Sequence, residues 1–126
     1  MMRLLFDTNA FLWYFWGSKR MNSVRELIKA ENTHVFISAV SWWEIAIKVR
    51  LGKLLVNLTE LRTFAEGYDF FELPLTSKYA DTLAELPKLH NDPFDHMLLA
   101  QAITEPMRFI TGDALLADYS SLVMVI

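Results

Sequence analysis

The sequence predicts an α/β protein with a central parallel sheet and helices on both of its faces. Three observations carry that expectation. Short apolar runs of strand length alternate along the chain with longer segments of helical periodicity. Those runs are mainly apolar, without the strict polar alternation of half-exposed strands, as in strands buried on both sides. Cap and turn residues separate the two kinds of segment, so strands run directly into helices.

Residues 3–6 open the chain as a buried strand, and Asp7, Thr8 and Asn9 follow as cap and turn formers. A short helix over 10–16 comes next, stopped by Gly17. Residues 18–31 carry Met21, Val24, Leu27 and Ile28 at helical spacing, which leaves Lys19, Arg20, Arg25 and Lys29 for an outer, solvated surface. Residues 35–37 form a second strand, ended by Ser38. The helix expected over 40–50 is apolar almost all round and should be largely buried. Asn57 caps another helix running to about Gly67, with Glu60 at the capping-box position. Residues 70–73 are a third strand closed by Pro74, residues 77–86 a helix, and 87–91 a loop. The most informative stretch follows. Asp92 is a good N-cap, Pro93 suits the first helical position, and Asp95 falls in the first turn, where the helix dipole favours negative charge. Phe94, Met97, Leu98 and Ala102 supply its packed face. Residues 108–110 form a fourth strand ending in Thr111-Gly112-Asp113, a short helix covers 114–118, and 122–125 are the last strand.

The 126 residues make one domain, and 53% hydrophobic content supplies a real core. Without cysteine there is no disulfide framework and no thiolate metal site, which fits a reducing cytoplasm. The longest apolar run, 10–16, is too short to span a bilayer. Four glycines form neither a dinucleotide fingerprint nor a phosphate loop, and His34, His90 and His96 lack zinc-type spacing. Net charge is −3, divided as +4 over residues 1–63 and −7 over 64–126. Cations bound by a few of the acids would leave a polyanionic substrate electrostatically acceptable.

The acids carry the functional reading. Asp7 and Asp113 both follow strands, at the sheet edge where open α/β folds bind ligands. Asp95 opens a helix. Glu44 lies in the apolar helix and needs a partner, either Lys48 four residues on or a cation. All four can face one end of the sheet. Gathered there, their repulsion would raise one another's pKa, and hard divalent cations such as Mg²⁺ or Mn²⁺ would relieve it. Such a centre activates water against a phosphodiester.

Four segments, in order over essentially the whole chain, resemble the PIN domain. They are Leu5-Phe6-Asp7-Thr8-Asn9, Ser41-Trp42-Trp43-Glu44-Ile45-Ala46-Ile47-Lys48 with Leu51-Gly52-Lys53-Leu54, Asp92-Pro93-Phe94-Asp95, and Thr111-Gly112-Asp113. More narrowly, they resemble the VapC toxins of prokaryotic toxin–antitoxin pairs. The resemblance implies a three-layer α/β/α fold and a Mg²⁺- or Mn²⁺-dependent endoribonuclease with one or two ions, cytoplasmic, dimeric and blocked by a cognate antitoxin. It implies Asp7, Glu44, Asp95 and Asp113 as the catalytic, metal-ligating quartet. Thr8, Asn9 and Thr111 would orient carboxylates or water, and Asp92 would be the helix cap or a further ligand. His96 stands where similar sequences often have arginine. His96 and Lys48 are candidates for substrate contact. The aromatic cluster from Phe11 to Trp16 is the expected partner surface. Two other functions are compatible with an acid after the first strand. A haloacid-dehalogenase-type phosphatase would need a second Asp where Asn9 stands, and a non-catalytic RNA- or protein-binding module would have no use for the quartet.

Overall fold

In the computed structural model the described residues are 1–88 and 92–126. Most of the loop expected over 87–91, with His90, lies outside them. Among the described residues the order is β1 (Met2–Phe6), α1 (Thr8–Phe15), a 3-10 helix (Lys19–Val24), α2 (Arg25–Lys29), β2 (Thr33–Ser38), α3 (Ala39–Arg50), α4 (Leu58–Gly67), β3 (Phe71–Leu73), α5 (Lys78–Glu85), α6 (Pro93–Thr104), β4 (Arg108–Thr111), a second 3-10 helix (Ala114–Asp118) and β5 (Val123–Val125). The strands form one sheet in the order β3-β2-β1-β4-β5, and every pairing is parallel. The expected α/β/α architecture is therefore present.

The pleat sorts the core. Leu4 and Phe6 of β1, Val35 and Ile37 of β2 and Ile110 of β4 pack on one face with α1, Met21, Val24 and Leu61. Leu5, Phe36 and Phe109 point to the opposite face, against Leu98, Leu99 and Ala102 of α6. Because successive side chains alternate between faces, strands covered on both sides must be apolar at every position. The chain first builds outward from β1 to β2 and β3, then returns to place β4 and β5 on the other side. The carboxyl ends of β1 and β4 thus flank the point where the winding reverses, which opens a crevice. Gln101 ties α6 to this edge. Its Oε1 accepts from the Ser38 hydroxyl and its Nε2 donates to the Pro74 carbonyl at 3.2 Å.

Three expectations are corrected. Residues 18–31 do not form one continuous helix. The first half is 3-10, with Met21 and Val24 buried three residues apart, the period of that tighter helix. Arg25 holds the turn, donating to the Ser18 carbonyl and to Asn22 Oδ1, both at 2.9 Å. Helix α3 is buried along one stripe only, Val40, Ser41, Glu44 and Ile45, and Trp43 is 57% exposed. Its apolar composition serves packing against α1 and α6 on one side and leaves an apolar outer face. The stretch from Phe11 to Trp16, expected as a partner surface, is turned largely into the core. Phe11, Leu12 and Tyr14 are core residues, with Phe11 edge-on to Trp42 and Tyr14 edge-on to Phe64, and only Trp16 is half exposed.

Leu98, fully buried between sheet and helix layer, tests this packing. Leu98→Ala is expected to cost about 3 kcal/mol in urea-unfolding free energy.

Candidate functional site

Strand β1 ends as the Asp7 amide donates to the Ile110 carbonyl at 2.9 Å. Asp7 then caps α1, with Oδ1 accepting from the Ala10 amide at 2.7 Å. Its other oxygen, Oδ2, accepts from the Thr111 hydroxyl at 2.7 Å, across the β1–β4 seam. The same Thr111 oxygen accepts from the Asp113 amide at 3.1 Å. One hydroxyl thereby fixes both the Asp7 carboxylate and the turn that carries Asp113. Asp113 caps the second 3-10 helix through the Leu115 amide at 3.0 Å.

Asp92 caps α6, its Oδ1 accepting from the amides of Phe94 and Asp95 at 2.9 and 3.2 Å. Ser38 caps α3 and places Glu44 one and a half turns in, 6% exposed. Lys48 takes Glu44 Oε2 at 2.9 Å. Glu44 Oε1 is buried with no hydrogen-bond partner among the described residues. The expected i,i+4 pair with Lys48 thus occupies one oxygen of Glu44 and leaves the other over.

The electrostatics place the acids together. Burial pushes the Asp7 carboxyl up to about 6, against the hydrogen bonds from Thr111 and Ala10, and the Glu44 charge adds to the rise. Asp95 is pushed up to about 8, first by burial, then by the charges of Asp92, Asp7 and Glu44. Asp7, Asp95 and Asp113 line an open cleft of ≈ 400 Å³, together with Asn9, Trp13, Arg20 and Gly112. Glu44 stands behind this lining, close enough for its charge to act on Asp7 and Asp95.

Other expected site residues lie elsewhere. Thr8 donates to the Ser41 hydroxyl at 3.0 Å, so it joins α1 to α3 rather than orienting the Asp7 carboxylate. His96 lies 3.2 Å from the Tyr119 hydroxyl through Nε2 and does not line the cleft. Lys48 is paired with Glu44. Arg20 and Trp13, by contrast, form part of the cleft wall. A surface arginine two residues after a serine cap carries no sequence signal of that position, which depends on the 3-10 turn.

The donor set fits a hard divalent cation: only carboxylate oxygens, raised proton affinities and an orphaned buried oxygen. As the side chains stand, no three His, Cys, Asp or Glu residues among those described are arranged to hold a metal ion.

A family model described as PIN domain matches residues 4–122. No curated protein matches the chain in sequence. Among solved structures, VapBC2 from Rickettsia felis bound to a DNA fragment from its promoter is similar with a TM-score of 0.75 and 17% identity, covering 99% of this chain and 98% of that one. A toxin–antitoxin complex from Klebsiella pneumoniae is similar with a TM-score of 0.67 and 20% identity, covering 97% and 96%.

The raised carboxyls set a pH dependence. Folded Asp7 and Asp95 keep protons that the unfolded chain releases near pH 4, so the folded state binds more protons through the window up to about pH 8 and loses stability as pH rises. With EDTA present, the melting temperature should fall between about pH 5 and about pH 8.5, and Asp95→Asn should flatten much of that slope.

Proposed function

This chain belongs to the PIN domain family, and from that premise we infer that it is a metal-dependent endoribonuclease acting as the toxin of a VapBC-type pair. The observation that carries the reading is Glu44 Oε1, buried and without a partner, beside two carboxyls whose proton affinity is raised. Burying acids against one another costs stability, and a cation offsets that cost.

Asp7 and Asp95 would hold Mg²⁺ or Mn²⁺, one or two ions, with Glu44 and Asp113 completing the site directly or through water. A divalent ion there would supply an activated water and neutralise charge on the phosphate. Thr111 keeps the Asp7 carboxylate aimed into the crevice, and its contact with the Asp113 amide keeps both sides of the crevice in register. Asp92 serves as the cap of α6 and holds Asp95 at the helix start. Asn9, exposed on the cleft wall, would orient water. The reaction is hydrolysis of an RNA phosphodiester, leaving 5′-phosphate and 3′-hydroxyl ends. A phosphatase using Asp7 as nucleophile is less well supported, because Asn9 stands where that chemistry needs a second Asp and Glu44 has no part in it.

A cognate antitoxin and a homodimer belong to the same reading, in the cytoplasm of a prokaryote. Trp43 and Phe94, edge-on at 5.1 Å, form an apolar surface next to Asp95 that suits a protein partner. No helix among the described residues is long and apolar enough to cross a membrane.

Asp7→Asn and Asp95→Asn should each lower RNA cleavage by at least about a hundredfold while leaving the circular-dichroism spectrum intact. Mn²⁺ should raise the melting temperature of the wild type and not that of the double variant. Undiminished cleavage by the variants would overturn the assignment.

A further inference from the structure

Among the described residues, the cleft wall carries one cationic side chain, Arg20. The Arg20 guanidinium lies over the Trp13 ring, 3.9 Å from its centroid. Trp13 in turn lies against Gly112: a Cβ at that glycine would meet Trp13 Cη2 at 2.5 Å, Cζ3 at 2.9 Å and Arg20 Nη2 at 3.2 Å. Absence of a side chain at 112 thus lets the indole and the guanidinium close onto the turn before Asp113. Arg20 shares the cleft with Asp7, Asp95 and Asp113, yet it forms no ion pair with any described residue, and its side-chain donors reach no described acceptor.

An arginine stacked on an aromatic ring through its face keeps its N–H groups at the edge, in the plane where a phosphate accepts two of them. Stacking also removes much of the rotamer freedom that binding would otherwise cost. The carboxylates repel an approaching polyanion, so a fixed positive charge on the rim has a role that a solvated arginine lacks.

Resting on the nuclease reading above, we propose that Arg20, held by Trp13 and Gly112, is the phosphate-binding residue that seats the RNA backbone on the rim of the acidic cleft. It binds a phosphate flanking the scissile bond and takes no part in the bond cleavage. It also supplies the basic contact that His96, turned to Tyr119, does not make from α6.

The test uses a labelled mixed-sequence single-stranded RNA of about 20 nucleotides, with binding measured in the Asp7→Asn background between about 50 and about 200 mM salt. Arg20→Gln should lower the slope of log affinity against log salt by about 0.7, the loss of one phosphate contact on a single strand. In the otherwise intact enzyme it should raise KM about tenfold with a smaller effect on kcat. Arg20→Lys keeps the charge without the planar fork and should restore the slope but only part of the affinity. An Arg20→Gln variant with wild-type slope and KM overturns the proposal and leaves the nuclease reading standing. Wild-type protein that neither binds nor cuts RNA overturns both. Should Arg20→Gln not fold, Arg20→Lys decides: a raised KM at unchanged slope supports the phosphate role, and an unchanged KM overturns it.

Discussion

Like charges forced together at the end of a buried sheet are the constraint on which the rest of this structure depends. Asp7, Glu44 and Asp95 come from three distant parts of the chain, and the charge of Glu44 raises the proton affinity of both aspartates. Each is placed by an ordinary local device. A strand end and helix cap place Asp7, a capped helix places Glu44, and an Asp-Pro cap places Asp95. None of these devices requires the acids to meet. The reversal of winding between β1 and β4 makes them meet, and the apolar layers on both faces hold that geometry against their repulsion.

Much of this was legible in the residues. Asp92, Asn57 and Ser38 read as boundaries and act as caps, because capping is a local hydrogen bond between a side chain and amides two or three residues away. The strands read correctly because a parallel sheet covered on both faces demands uninterrupted apolar runs. What stayed hidden depends on contacts distant in sequence. Thr8 seemed a partner for its neighbour Asp7 and instead reaches Ser41. Thr111 reaches the Asp7 carboxylate across a separation of 104 residues. Arg20 looked like one more solvated cation until a 3-10 turn brought it over Trp13.

Composition misled most in α3. An almost wholly apolar helix normally signals complete burial. Here one stripe satisfies the core, and Trp43 with Phe94 remains outside, beside the acids. Apolar surface is costly to leave in water, and Phe94 carries this patch to within one residue of Asp95.

The close fit of Trp13 against Gly112 also bears on how relatives of this chain can diverge. A methyl group at position 112 would stand 2.5 Å from the outer edge of the Trp13 ring as it lies. The two positions are therefore coupled. A side chain at 112 requires the indole at 13 to swing aside, taking Arg20 with it, or to give way to something smaller. That coupling is steric and joins residues about a hundred positions apart in the chain.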